Sequence, residues 1–399
     1  MSSSLTSLGL ERIEGLPPGE RARLGGECPG LAAWLARVPD RRKRRGTRHD
    51  LVSLLLASVA AVLAGARSFS AIAEWVEDAP PAVLAALGVR YDPLAGVYAP
   101  PAERTIRRVL ESVDADALDT AIGTWLAGRL PPAQGRRALA VDGKALRGTR
   151  HASADGQAAH LLAVADQQAS VVLAQTEVDG KTNEITCFAP LLEPLDLTGA
   201  VITADALHAQ RSHATFLVEE KEAHYLLMVK DNQPTLRRRL ARLPWRQVPA
   251  GHAEPGRGHG REEHRTLKVT SVAAGLGFPH AAQAIQVKRR RRKLGTAKWS
   301  TETAYGITSL AAHQATPAEF ATWARGHWHI EALHHVRDVT YGEDASQVRA
   351  GNGPRVMATL RNAATGILKT SGHTNIAAAC RHHARDATRT VVTLGLRPP

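Results

Sequence analysis

Two aspartates in the 399-residue chain stand where predicted strands end, and their carboxylates are the first candidates for chemistry. Asp142 closes a short apolar strand predicted over residues 137–143, and Asp205 follows a fully apolar strand predicted over residues 200–204. If these strands lie side by side, the two carboxylates converge at one edge of a sheet. Carboxylate oxygens are ligands that Mg²⁺ prefers, and two metal ions can activate an attacking oxygen and stabilise a leaving one. The pattern predicts a magnesium site, although an Asp at a strand end is also a common turn former or helix cap.

A third acid has to come from a helix that packs against this sheet. Glu331 is the best candidate, because Ile330, Leu333 and Val336 form an apolar stripe at helical spacing beside it. Residue type alone is also compatible with a solvated glutamate next to a core stripe. Glu343 and Asp344, about one turn beyond the helix, remain alternatives at this point.

The elements around these acids predict an α/β catalytic domain with a mixed sheet. Three short strands separated by turns predict an antiparallel meander, after which helices and strands alternate. This order is typical of a ribonuclease H-like fold. The predicted strands cover residues 137–143, 160–165, 170–178, 200–204 and 224–229, and the predicted helices between them cover residues 183–195 and 210–222.

Changes in pattern divide the chain into four parts. Residues 1–130 predict an all-α N-terminal domain associated with DNA, which is either a helix-turn-helix reader or a plain helical bundle. The catalytic domain is expected to combine residues 137–235 and 301–370. Alternating segments in residues 236–300 predict a β-rich insertion, and residues 371–399 predict a helical tail.

The charge of the chain indicates a polyanionic partner. Lys and Arg number 51 against 38 Asp and Glu, which gives a net charge of +13. Clustered cations bind nucleic acid by releasing its counterions. The basic run KRRRRK inside the insertion predicts DNA backbone contacts through Arg289, Arg290 and Arg291. Lys144 and Lys230, just past predicted strand ends, either contact phosphate or are ordinary turn residues.

Other classes of protein are disfavoured by the sequence. The three cysteines lie far apart, which suggests no disulfide framework and a reducing cytoplasm. The apolar run over residues 51–66 is shorter than the roughly 20 residues that a membrane span needs, so we expect a buried helix and no membrane association. Neither GxGxxG nor a P-loop lysine is present, so we expect no nucleotide cofactor.

Several motifs in series resemble the DDE transposases of insertion sequences, in the branch that includes the H-repeat-associated proteins. The resemblance extends over most of the chain and ends in GHTNIAAACRHHARD. The motifs that carry it are VDGKALRG, KTNEI, TADALHAQ, YLLMVKDNQ and RGHWHIEALHHVRDVTYGEDASQVRAGNGP.

The resemblance implies a DDE triad, and on the matching positions its catalytic and metal-binding residues are Asp142, Asp205 and Glu331. We expect two Mg²⁺ ions, with Mn²⁺ as a substitute. Double-stranded DNA, both as transposon ends and as target, is the expected partner. A homodimer on DNA is expected because two ends must be paired, and the expected location is the nucleoid in the cytoplasm of a bacterium.

The surroundings of Glu331 depart from the Y-R-E-K signature of related transposases. Arg325 precedes the glutamate and Arg337 follows it, but no tyrosine stands ahead of the glutamate, where Trp323 and Trp328 stand instead. We expect Arg325 and Arg337 to hold the DNA backbone near the metal ions, because guanidinium groups grip phosphate bidentately.

The expected function is therefore metal-dependent strand cleavage and strand transfer at the terminal inverted repeats of an insertion sequence. Two alternatives stay open. One is a ribonuclease H-like nuclease that cuts without joining. The other is a DNA-binding protein derived from a transposase, which would bind DNA without cutting it.

Overall fold

The computed structural model of the chain describes residues 30–45, 47–152, 157–178, 183–258, 260–272 and 276–396. Parts of the two predicted terminal segments, residues 1–29 and 397–399, lie outside the described residues. No helix in the described part of the chain is both long enough and apolar enough to span a bilayer.

The N-terminal region is mainly helical, as predicted, with one short hairpin. Side chains begin several of its helices: Asp50, Ser68 and Asp114 accept hydrogen bonds from backbone N–H groups of the first turns. The hairpin is a departure from the all-α expectation. The elements are α1 (Leu31–Leu35), α2 (Leu51–Leu63), α3 (Phe69–Glu77), α4 (Pro81–Ala86), β1 (Tyr91–Asp92), β2 (Val97–Tyr98), α5 (Glu103–Ser112) and α6 (Ala115–Ala127).

The rest of the described chain is built on one mixed sheet and the helices that flank it. The strands are β3 (Ala138–Leu146), β4 (Ala159–Asp166), β5 (Val171–Val178), β6 (Val201–Ala204), β7 (His224–Val229), β8 (His252–Gly258), β9 (Arg261–Ser271), β10 (Gln283–Lys293) and β11 (Ser300–Thr308). The helices are α7 (Glu184–Leu192), α8 (Arg211–Thr215), α9 (Pro234–Ala241), α10 (Pro317–Gly326), α11 (Trp328–Val339), α12 (Gly353–Thr370), α13 (Ile376–Ala384) and α14 (Thr388–Thr393).

The strand order across the sheet is β5-β4-β3-β6-β7-β11-β10-β9-β8. Strands β3, β4 and β5 form the predicted antiparallel meander, while β6 lies parallel to both β3 and β7. All five predicted strands are present. The first is longer than expected, because β3 continues past Asp142 and keeps pairing with β4 as far as Leu146.

The predicted β-rich insertion extends the central sheet. Only the last four residues of β11 pair with β7, whereas nine residues of β11 pair with β10. Strands β8, β9 and β10 then add to the same edge by antiparallel pairing. The four strands from β8 to β11 are called the β-extension below. Because the sheet is continuous, the β-extension is held in a defined position beside β7.

Helix α12 joins the N-terminal helices to the sheet. It packs against α2, α5 and α6 on one side and against β5 on the other. Arg355 of α12 forms an ion pair with Asp119 of α6 at 2.9 Å, and Asn362 donates to Gln175 of β5 at 2.8 Å. Buried polar groups that are fully paired specify one packing arrangement. The helical region and the sheet therefore share one core.

Candidate active site

Parallel pairing of β3 with β6 brings the two strand-end aspartates together. The pairing ends at Val141 and Ala204, and Asp142 and Asp205 are the next residues on the two strands. Neighbouring strands lie about 4.8 Å apart, so both carboxylates belong to one edge of the sheet. Asp142 lies within β3, at the point where its parallel partner ends.

Glu331 reaches the same edge from α11. Ile330 and Leu333 of this helix are buried against Ala140 and Ala163 of the sheet, whose small side chains let the helix approach closely. Burying each of the two large side chains contributes about 2 kcal/mol. Glu331 stays exposed beside this contact. Together with Asp142 and Asp205, Glu331 lines one cavity of about 410 Å³.

The two aspartates differ in their electrostatic surroundings. Burial raises the pKa of Asp142 to about 6, and the negative charges of Glu184, Glu331 and Asp205 add to the effect. Burial also opposes ionisation of Asp205, but a hydrogen bond from Lys230 Nζ at 3.0 Å and one from the Ala206 N–H lower its pKa overall. The edge thus concentrates negative charge, which a cation would stabilise.

Two histidines next to the acids are held neutral. Burial lowers the pKa of His334 to about 3, and its Nδ1 lies 3.6 Å from Oδ2 of Asp142. Burial likewise lowers the pKa of His327 to about 4, and its Nδ1 shares a hydrogen bond of 3.1 Å with Thr203 Oγ1. Neither imidazole supplies positive charge to the carboxylates near pH 7. Thr203 in turn accepts from Gln167, which fixes the junction of α10 and α11 over the sheet.

The donor set of the cavity suits a hard cation. Three carboxylates supply the oxygen ligands that Mg²⁺ and Mn²⁺ prefer. In the part of the chain that the structure describes, no three acidic, His or Cys side chains are close enough together to enclose an ion. The donor atoms of the cavity therefore fit a divalent metal ion. Binding of the ion requires the three carboxylates to move closer together, with Asp205 turning away from Lys230.

A carboxylate to which the sequence assigned no role lies directly behind this edge. Glu184, in the first turn of α7, is 2.7 Å from His160 Nε2 of β4 and 3.1 Å from His208 Nε2. His208 is fully buried in the turn that follows Asp205. Burial raises the pKa of Glu184, but the hydrogen bonds from both histidines lower it to about 2. The KTNEI motif was the only sequence signal for this cluster.

Gly143 shows how tightly this cluster packs behind Asp142. A Cβ atom at this position would lie 2.3 Å from Oε1 of Glu184 and 2.5 Å from Nε2 of His160. Such distances are far below van der Waals contact, so only glycine fits here without a shift of the pair. The VDGK motif thus requires its glycine because Glu184 and His160 approach the backbone next to Asp142.

Two predicted DNA contacts need correction, because the structure buries both side chains in ion pairs. Lys144 lies inside β3, is 8% exposed and contacts the Asp338 carboxylate at 2.8 Å. Arg337 is 2% exposed and binds Glu343 at 2.8 Å. Glu343 also binds Arg361 at 3.0 Å. Neither Lys144 nor Arg337 presents a free cationic group to DNA, and Glu343 is committed to this structural network and lies outside the cavity.

Other predicted DNA contacts do border the cavity. Lys230, Arg289 and Arg325 are part of its lining. Arg325 pairs with Glu254 of β8 at 2.7 Å, and Arg289 pairs with a glutamate of β9. Arg290 and Arg291 are exposed on β10 but do not line this cavity. Asp344, an alternative third acid, lies 3.6 Å from Lys144 and is also absent from the lining.

Comparison with protein families places these observations in a known class. The family model described as "Transposase DDE domain" matches residues 133–367, which is more than half of the chain. The model described as "DDE_Tnp_1-associated" matches residues 32–126. The chain therefore belongs to the DDE transposase family, as the sequence resemblance predicted.

Individual relatives carry names from the same class. The chain is 29% identical over 362 residues to "Putative transposase YncI" of Escherichia coli O157:H7, covering 85% of this chain and 87% of the relative. It is 28% identical over 358 residues to "H repeat-associated putative transposase YhhI" of Escherichia coli K12, covering 86% and 91%. A piggyBac transposase chain, solved in a synaptic complex with hairpin DNA, superposes with a TM-score of 0.40 at 12% identity, covering 92% of this chain and 75% of that chain.

Proposed function

We propose that this chain cuts and joins DNA strands at the terminal inverted repeats of an insertion sequence. The observation that carries the proposal is the single cavity lined by Asp142, Asp205 and Glu331. One acid comes from a strand, one from the end of its parallel neighbour and one from a helix packed on the same sheet. A chain of the DDE transposase family with all three carboxylates on one cavity has the groups that metal-dependent phosphoryl transfer needs.

The three carboxylates would hold two Mg²⁺ ions, or Mn²⁺ in their place. When bound, such ions polarise a phosphoryl oxygen and lower the pKa of water so that it becomes a nucleophile at neutral pH. Asp142 comes from a strand, Asp205 directly follows one and Glu331 comes from a packed helix, so the backbone at the three positions is fixed before DNA binds and only the side chains have to move. Positioning and charge neutralisation account for most of the catalysis of phosphoryl transfer.

The cationic side chains of the cavity would bind the DNA backbone. Lys230, Arg289 and Arg325 each pair with a carboxylate, so each can exchange that partner for a phosphate without a large desolvation cost. Trp328 is 46% exposed, and the Cζ atoms of Arg265 and Arg289 lie 5.1 and 5.3 Å from its ring centroid. This arrangement orders both guanidinium groups at the entrance to the cavity.

The reaction would proceed in two steps without a covalent enzyme intermediate. Water attacks a phosphorus atom at the transposon end, and the bond from that phosphorus to the 3′ oxygen breaks, which frees a 3′-hydroxyl. This hydroxyl then attacks a target phosphorus and expels the 3′ oxygen of the target strand. Among the described residues, the cavity lining contains no Ser, Cys or Tyr, the side chains that most often form covalent intermediates with DNA or acyl groups.

The direct test is to incubate the chain with a labelled duplex that carries the terminal repeat, a supercoiled target plasmid and Mg²⁺. We expect cleaved ends first and then label joined covalently to the plasmid. Cleavage without joining would favour the nuclease alternative. Tight binding with neither product would favour the DNA-binding alternative. A dimer on DNA is part of the proposal, and the mass of the complex with end duplexes measures it.

A further inference from the structure

The basic run on β10 is divided between the two faces of the β-extension. Successive side chains of a strand point to opposite faces. Val287 and Arg289 line the acidic cavity together with Arg265 of β9, so they define the cavity face. Lys288, Arg290 and Arg292 stand at the alternate positions and define the outer face. The sequence alone had grouped all these cations into one DNA contact.

Most cations of the cavity face are paired with carboxylates of the protein. Glu263 of β9 forms ion pairs with Arg265 and with Arg289. Glu254 and Glu302 also line the cavity, where Glu254 pairs with Arg325 at 2.7 Å. Arg265, Arg289 and Arg325 of this face are therefore each already paired with a carboxylate of the protein.

Charge on the outer face is not balanced. Its acid, Glu262, lies 2.6 Å from Arg292 and 3.5 Å from His264. Within the described residues, Lys288 and Arg290 make no ion pair, and both are exposed. Thr303 and Thr301 stand opposite them on β11 and are exposed as well, so hydroxyl donors accompany the two free cations.

An aromatic side chain orders the guanidinium groups of this face. The Cζ atoms of Arg290 and Arg292 lie 5.1 and 4.8 Å from the ring centroid of Trp299. His264 contacts the same ring at a centroid distance of 5.3 Å. Because stacking restricts the arginine rotamers before a ligand arrives, less conformational entropy is lost when they bind an anion.

We propose that the outer face of the β-extension binds a second segment of double-stranded DNA, distinct from the strand that enters the acidic cavity. This inference rests on the proposed function and extends it, because joining requires two DNA segments on one complex. Alternate strand residues are about 6.6 Å apart. Lys288, Arg290 and Arg292 therefore form a row of cations along one face of β10, which a phosphate backbone can contact.

The test compares two matched double variants of the full chain, Lys288→Gln with Arg290→Gln on the outer face and Arg289→Gln with Arg291→Gln on the same strand. Both remove two positive charges from β10. Binding of a 30-bp duplex of arbitrary sequence, without divalent metal, is measured against salt concentration. Each lost phosphate contact lowers the slope of log affinity against log salt by about 0.9. The outer-face variant should therefore lower it by about 2.

Two further measurements locate the DNA. Native mass spectrometry with a 14-bp duplex should find two duplexes per wild-type chain and one per chain in the outer-face variant. Duplex DNA should also protect Lys288 from acetylation, both in wild type and in the Arg289→Gln, Arg291→Gln variant. Thermal unfolding of each variant checks that the fold is retained, since Lys288, Arg290 and Arg291 are exposed and Arg289 is partly exposed at the cavity.

One duplex per wild-type chain, or Lys288 acetylated equally with and without DNA, would overturn the proposal. The proposal would also be overturned if the slope of log affinity against log salt were unchanged in the outer-face variant. All three readouts are independent of strand cleavage. A chain that fails to cut DNA but binds two duplexes would overturn the proposed function and leave the outer face intact as a binding surface.

Discussion

Lys230 donates a hydrogen bond of 3.0 Å from its ammonium group to Oδ1 of Asp205, so a side chain already balances the charge of this carboxylate. Both side chains are at least half exposed, at 68% and 50%. Exposed ion pairs contribute about 0–1 kcal/mol. Lys230 can therefore release Asp205 at small cost when a metal ion or a phosphate competes for either partner.

This relationship predicts the effect of Lys230→Met on metal binding. Without the competing ammonium group, Mn²⁺ should bind the DNA-free protein more tightly, by up to about fivefold, which corresponds to about 1 kcal/mol. Isothermal titration of Mn²⁺ into both proteins measures the difference. The same variant should bind DNA more weakly because one cation of the cavity is lost. Weaker Mn²⁺ binding by the variant would show that Lys230 supports the metal site.

Gly143→Ala should disturb the site while leaving the fold intact. The added methyl group would overlap Glu184 and His160 and displace them from the backbone beside Asp142. Displacements of about 1 Å in an active site cost about 10²-fold in rate. Gly258→Ala is the matched control, because nothing lies within 4 Å of a Cβ atom there. The loss of cleavage rate caused by Gly143→Ala should be smaller when Glu184 is also changed to Ala. An equal loss with and without the Glu184 side chain would contradict this account.

Glu184 should stabilise the fold in a way that depends on pH. Its pKa is lowered from 4.5 to about 2, so the folded state favours its charged form. The stabilisation is fully present above about pH 4.5 and is lost as the pH falls towards 2. Urea unfolding of wild type and Glu184→Gln between pH 7 and pH 3 should give a difference in free energy that shrinks below pH 4.5. A difference that grows towards low pH would refute the proposed hydrogen bonds.

Arg337→Ala should destabilise the fold, and any effect on DNA affinity should be secondary. Removing this buried guanidinium leaves Glu343 buried with only part of its partners, and breaking a buried pair costs about 3–5 kcal/mol. Arg325→Ala is the comparison, because its pair with Glu254 is about half exposed and contributes about 0–1 kcal/mol. Urea unfolding of the two variants measures both values. Equal stability of the two variants would show that Arg337 does not stabilise the fold, and Arg337 would again be a candidate for DNA contact.

Strand and helix positions in the catalytic core could be predicted from the sequence, because apolar periodicity reports burial directly. Strands β3 to β7 occur where predicted, and α11 carries Glu331 beside its buried stripe. Helix α10 was missed. It begins with Pro317 behind a Thr316–Glu319 capping box, and it is separate from α11 because the chain turns at His327.

Partners that are distant in sequence could not be predicted. Lys144 and Asp338 are 194 positions apart, and nothing in the local sequence of Lys144 indicates that its ammonium group is buried. The same holds for Glu184, whose partners His160 and His208 each lie 24 positions away on other elements. Residue types nominated Asp142 and Asp205, and the family resemblance added Glu331, so the three acids that line one cavity could be proposed from the sequence. The network around them depends on the tertiary structure.

The most direct test of the central claim compares cleavage of a terminal-repeat duplex in Mg²⁺ by wild type, Asp205→Asn and Asp231→Asn. Asp231 is the matched control, since it is exposed, pairs only with Arg237 in the described structure and lies outside the cavity lining. We expect cleavage by wild type and Asp231→Asn, and a loss of at least about 10³-fold in Asp205→Asn, because a carboxylate that would hold the metal is gone. Equal cleavage by all three proteins would contradict the assignment of this cavity as the active site.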